Sequence, residues 1–105
     1  MLQAVAADGV TLQGSPVELL DNIGLPDVGL VEAPSLVKTE ESQYVLFYSR
    51  GCYSSNYTVS YATASAVTGP YTRRADLLAN GVDGLSGPGG ADILFDAVHL
   101  SLIHI

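Results

Sequence analysis

The sequence predicts an all-β chain folded as an antiparallel meander, and three observations carry that prediction. Tyr44-Val45-Leu46-Phe47-Tyr48-Ser49 is dense in aromatic and β-branched side chains, which suit a pleated, half-buried surface. Tyr57-Thr58-Val59-Ser60-Tyr61-Ala62 alternates large and small residues without a break, the period of a strand. Clusters of Gly, Pro, Asn and Asp return about every ten residues, which suits short strands joined by turns.

Taken in order, Leu2 to Ala6 is an apolar run that ends in the Asp8-Gly9 turn, and Val10 to Leu12 returns as its partner. Gly14-Ser15-Pro16 is expected to end that strand, and Val17 to Leu20 is too short to assign. Asp21 to Gly29, with two glycines, a proline, an asparagine and two aspartates, reads as a loop. Val31-Glu32-Ala33-Pro34-Ser35-Leu36 then begins a strand. Pro34 fixes its own φ and should push Ala33 into an extended conformation. Ser35 to Lys38 and Tyr44 to Ser49 should pair as a hairpin across the polar turn Thr39 to Ser42. Gly51 to Asn56 turns the chain into the Tyr57 strand, whose small-residue face is open to cover by a further layer or by solvent. Thr68-Gly69-Pro70 precedes a short outer strand, Tyr71-Thr72-Arg73. A glycine-rich stretch from Asn80 to Gly90 leads to a last strand, Ala91 to Phe95. This succession fits a four-stranded propeller blade better than a small sandwich. Leu100 to Ile105 is either a truncated strand or a non-native extension, so residues 96–105 are set apart from a domain spanning 1–95.

The chain has 105 residues, enough for one small domain, and its 11 acidic residues outnumber 4 basic ones for a formal net charge of -7. That balance opposes binding to nucleic acid or an anionic membrane; only Arg73 and Arg74 adjoin. Cys52 is the single cysteine, so no internal disulfide framework and no multi-cysteine zinc site can form. Asn56-Tyr57-Thr58 matches the N-glycosylation sequon. The chain opens without a basic-then-apolar signal, and no apolar run approaches a membrane span.

Glu32, Asp27 and Asp92 are the carboxylates that could carry chemistry. Glu32 stands among apolar neighbours. Pointed into a cleft and partly desolvated, it could hold a proton as a general acid must; the alternative is a solvent-facing edge glutamate. Asp27 serves equally as a turn residue. Asp92 follows Gly87-Pro88-Gly89-Gly90-Ala91, whose glycines permit either close approach of a ligand or a tight bend. This turn lacks the lysine and helix of a phosphate loop. His99 has no paired ligand spacing, which argues against a protein metal site, and a Cys52-His99 nucleophile pair is a formal alternative. No serine sits in a G-x-S-x-G elbow. Tyr57 and Tyr61 read as packing residues with satisfied hydroxyls.

With these elements placed, the chain from about Leu2 to Phe95 resembles glycoside hydrolase family 43, the five-bladed propellers that include β-xylosidases, α-L-arabinofuranosidases and arabinanases. VEAPSLV (Val31 to Val37), YVLFYS (Tyr44 to Ser49), YTVSYATA (Tyr57 to Ala64), TGPY (Thr68 to Tyr71) and SGPGGAD (Ser86 to Asp92) occur in the family's order. The resemblance implies that Glu32, in the V-E-(G/A)-P motif, is the general acid of an inverting glycosidase. It also implies a base aspartate and an aspartate that tunes the acid, neither of which is matched here; Asp8 and Asp27 do not fill those places. Gly90 stands where many members carry a histidine, so no ion coordination and no cofactor is implied. Phe47, Tyr48, Arg50 and Tyr53 lie near positions that border the family's cavity.

The implied partners are arabinose- or xylose-containing oligosaccharides or polysaccharides, outside the cell, together with the remaining blades of one parent chain. Roughly one hundred residues supply only about two blades. The isolated chain is therefore expected to be inactive and to be poorly stable or to associate. The competing readings are a non-catalytic carbohydrate-binding or structural β domain, and an unrelated surface β domain. The first of these predicts that Tyr44, Tyr48, Tyr53 and Tyr57 form an exposed platform while Glu32 points away.

Overall fold

The middle of the chain forms a four-stranded antiparallel sheet, and the rest is arranged around it. A computed structural model describes residues 1–24, 29–95 and 100–103. The strands are β1 (Leu2–Val5), β2 (Leu12–Val17), β3 (Val31–Lys38), β4 (Tyr44–Arg50), β5 (Thr58–Ala64), β6 (Thr72–Leu78), β7 (Asp92–Phe95) and β8 (Leu100–Ile103). The central sheet has the order β3-β4-β5-β6, and β1-β2 and β7-β8 form two-stranded sheets on their own. The count is that of two four-stranded blades, divided here into one whole blade and two ribbons. The expected all-β meander is what forms.

β4 and β5 are central because their side chains fit each other across the ladder. Phe47 faces Tyr61 and Leu46 faces Ala62, so large residues meet large ones on one face and small ones on the other. The Phe47 and Tyr61 rings lie 6.2 Å apart in a tilted arrangement. Val45, Leu46, Phe47, Tyr48, Val59 and Ala62 are all buried. The small-residue face of β5 is also covered: Thr58, Ser60, Ala62 and Ala64 are buried. Each large apolar side chain taken from water contributes about 1.5–3 kcal/mol, against roughly 0–1 for an exposed ion pair, so this double-sided core dominates the stability of the blade.

Two expectations about strand ends are corrected. β2 continues through Gly14-Ser15-Pro16 to Val17. It can do so because the register slips there: Leu2 pairs with Val17 but Ala4 with Gln13, which leaves Gly14 to Pro16 in an irregular stretch of an exposed ribbon where the missing proline N–H breaks no ladder bond. β6 is the expected outer strand, but it is seven residues long and runs through its charges. Those charges reach inward to β4 and β5. Arg50 Nε and Nη2 donate to Asp76 Oδ1 and Oδ2 at 3.0 and 2.6 Å, and Ser60 Oγ donates to Asp76 Oδ1 at 2.6 Å. Arg74 Nε donates to Thr63 Oγ1 at 2.9 Å, and Arg73 Nη1 to the Tyr48 hydroxyl at 3.1 Å. A charged edge also discourages pairing with a further strand.

Burial pushes the Asp76 carboxyl towards its neutral form, but the Arg50 guanidinium and the Ser60 hydroxyl together outweigh it and hold the pKa below its ordinary value. A carboxyl with a depressed folded pKa adds stability above its unfolded pKa and loses it as pH falls through the folded one. Asp76→Asn is therefore expected to lower the thermal unfolding midpoint at pH 7, and the deficit should shrink as pH drops below about 4. Circular dichroism melts between pH 7 and pH 3 check this; a deficit that does not change with pH would contradict it.

Candidate functional site

Glu32 is set in place by a bulge. Val31 pairs with Arg50 and Glu32 with Ser49, but the next partners are Ser35 and Phe47, so β3 advances three residues while β4 advances two. Ala33 and Pro34 occupy the gap. Ala33 has φ of 49°, in the left-handed region and not the extended one that Pro34 was expected to impose. Proline disfavours the right-handed helical conformation before it; the bulge takes the backbone the other way. Pro34, with no N–H, suits a site where the ladder is interrupted.

The carboxylate has two different flanks. On one, the Tyr57 hydroxyl donates to Glu32 Oε1 at 2.9 Å. On the other, Leu19, Leu20, Val31, Pro34 and Tyr48 line a depression of about 100 Å³ that Glu32 shares. That volume is below the roughly 300–1,000 Å³ of a complete ligand pocket, so the depression is at most one wall of a site. Glu32 is exposed, so of the two placements the sequence left open, the described residues form the solvent-facing one and not a partly desolvated cleft.

Tyr57 is fixed from behind by the glycine-rich turn. A Cβ added to Gly89 would lie 2.0 Å from Tyr57 Cδ1, so only glycine allows the ring to lie against this backbone. The turn itself is well anchored. Gly90 N donates to Ser49 Oγ at 2.8 Å, Gly87 N to Asn80 Oδ1 at 2.8 Å, and Pro88 is fully buried. Of the two uses the sequence allowed these glycines, close approach is realised at Gly89, with a tyrosine ring as the approaching group. Burial raises the pKa of the Tyr57 phenol; a hydrogen bond with Ser49 works the other way, and the neighbouring Glu32 carboxylate adds to the rise. Tyr57 therefore stays a neutral donor across the ordinary pH range.

Asp92 is brought to the same strand. Ser35 Oγ, on β3 just past the bulge, donates to Asp92 Oδ1 at 2.9 Å, and the Ile93 N–H donates to the same oxygen at 2.8 Å. The first bond ties β7 to β3, the second is local to the start of β7, and together they give Asp92 a structural task. Asp27 and His99 lie outside the described residues. Cys52 sits in the β4–β5 turn with its Sγ 3.1 Å from Ser54 Oγ. Asn56, the sequon asparagine, accepts from the Cys52 N–H at 2.8 Å through Oδ1 and so shapes that turn.

The tyrosine platform is not formed. Tyr48 is buried under the Arg73 guanidinium, 5.3 Å from its ring centroid, and Tyr44 lies 5.7 Å from the Lys38 ammonium. Tyr53 is exposed elsewhere, and Tyr57 holds Glu32. Of the residues expected near a cavity, Tyr48 borders both the Glu32 depression and a second hollow of about 280 Å³, which Arg50 lines with Ser60 and Asp76. No local pattern signals that Tyr57 meets Glu32, because the contact spans 25 positions and depends on the β3-β4-β5 register.

Neither a protein-family model nor a curated protein matches the chain. Among solved structures it is similar to a thermostable family-43 glycoside hydrolase, with 27% sequence identity and a TM-score of 0.81. The match covers 97% of this chain and 36% of that one. The chain is thus a distant structural homologue of part of a family-43 glycoside hydrolase, and its fold is a portion of a β-propeller.

A non-glycine residue in the left-handed region costs about 1–2 kcal/mol, while glycine gives back roughly 0.5–1 kcal/mol in unfolded-chain entropy. Ala33→Gly should therefore raise stability by about 0.5–1 kcal/mol without altering the β3–β4 register. A urea midpoint that moves down instead of up would show that Ala33 is not strained.

Proposed function

We propose that this chain is part of an inverting O-glycosyl hydrolase that acts outside the cell on arabinose- or xylose-containing glycans, and that Glu32 is its general acid. The reading is carried by one observation: in a chain similar to a family-43 glycoside hydrolase, a β-bulge and a tyrosine hydroxyl together hold Glu32 at the side of a depression. In inverting hydrolysis a water oxygen bonds to the anomeric carbon while a base takes the water's proton. The electron pair of the breaking C–O bond goes to the leaving oxygen, which takes the proton of Glu32. The base and the remaining blades belong to other parts of the complete enzyme, so the chain alone would not hydrolyse a glycoside.

The non-catalytic binding reading loses its main support, because the four tyrosines have separate environments. Glu32→Gln in the complete enzyme is expected to reduce hydrolysis of alkyl arabinosides or xylosides by about 10²–10⁴-fold, the range of general acid catalysis. Nitrophenyl glycosides, whose leaving group departs with little protonation, should retain much more activity. Steady-state kinetics on both substrate types decide; near-normal hydrolysis of the alkyl glycosides would remove Glu32 from the reaction.

A further inference from the structure

Among the described residues, the hydrogen bond donated to the Glu32 carboxylate comes from Tyr57, and it goes to Oε1. A carboxylic acid has one oxygen that accepts and one that bears the proton, so the oxygen already accepting from Tyr57 is the poorer seat for that proton. We propose that Tyr57 is the positioning residue of Glu32, which makes Oε2 the oxygen that carries and delivers the proton; this rests on the general-acid reading above.

Three features make Tyr57 a rigid support. Its ring lies against the Gly89 backbone, leaving no room to retreat. The turn behind it is tied to β4 by the bond from Gly90 N to Ser49 Oγ, and within the β6–β7 connection Asn80 Oδ1 accepts from Gly87 N. Ser49 is also the cross-strand partner of Glu32, so the acid and its support are built from one register. When the proton leaves Oε2 for the glycosidic oxygen, the bond from Tyr57 becomes a charge-assisted one to a carboxylate and strengthens, which favours the transfer. A residue that served only packing would not depend on its hydroxyl.

Tyr57→Phe keeps the ring against Gly89 and removes the hydroxyl, and with it the bond to Glu32 and the contact with Ser49. In the complete enzyme it is expected to lower kcat on alkyl glycosides by about 10- to 100-fold, the weight of one hydrogen bond to a charged group, with KM unchanged. Nitrophenyl glycosides should lose less than about threefold, since they make little demand on the acid. Gly89→Ala, which displaces the ring but keeps the hydroxyl, should give the same selective loss and serves as the second variant should Tyr57→Phe not fold. Equal losses on both substrate types, or no loss on the alkyl glycosides, would overturn the positioning role. Glu32→Gln measured in parallel separates the two readings. A Glu32→Gln enzyme still active on alkyl glycosides overturns the general acid and Tyr57's role with it. A selectively inactive Glu32→Gln beside an unimpaired Tyr57→Phe overturns the positioning role alone.

Discussion

The hydrogen bond from Tyr57 to Glu32 depends on a chain of close fits, and most of the molecule's special geometry is in it. Glu32 reaches Tyr57 only because a bulge at Ala33 and Pro34 interrupts β3. Tyr57 is in reach only because residue 89 has no side chain. The turn that carries Gly89 is fixed to Ser49, the residue paired with Glu32 across the ladder. Local strain at Ala33, about 1–2 kcal/mol, is affordable because the same strands contribute several buried apolar side chains at about 1.5–3 kcal/mol each.

The blade divides its work between two faces. Phe47, Val59 and Tyr61 pack on the side that carries Ser49 and the glycine-rich turn, while Leu46, Tyr48 and Ser60 lie on the side crossed by Arg50, Arg73 and Asp76. The charged side is a satisfied network: the bidentate Arg50–Asp76 pair and the Ser60 hydroxyl meet one another's needs. It clamps the outer strand β6 to the core strands, on the opposite face from the one where Ser49 meets the glycine-rich turn. Exposed Val5, Val10, Leu12 and Val17 on the β1–β2 ribbon show how much apolar surface the chain leaves without a covering layer.

Much of this fold was legible in the sequence, because β4 is dense in β-formers, β5 alternates large and small residues, and their turns carry the expected Gly, Asn and Ser. Glu32 stood out for its neighbours Val31 and Pro34. What the sequence hid was non-local or contrary to local rules. Propensity read Gly14-Ser15-Pro16 as a break, yet an irregular register in an exposed ribbon tolerates it. Charges after Tyr71 read as the end of a strand, yet Arg73, Arg74 and Asp76 turn inward to partners on β4 and β5. The left-handed Ala33 reverses the usual effect of a following proline, and only the two-for-three register against β4 requires it. The alternative uses of the glycine-rich turn could be separated only once the Tyr57 ring was seen against Gly89.

The mounting of Glu32 is tested most directly by a double-mutant cycle of Tyr57→Phe and Glu32→Ala, read from the free energy of urea unfolding. If the hydroxyl and the carboxylate are partners, Tyr57→Phe should destabilise the protein more when Glu32 is present than when it is absent and only the Ser49 contact is lost, with a coupling of about 0.5–1.5 kcal/mol. Strictly additive losses would mean that the two side chains do not hold each other.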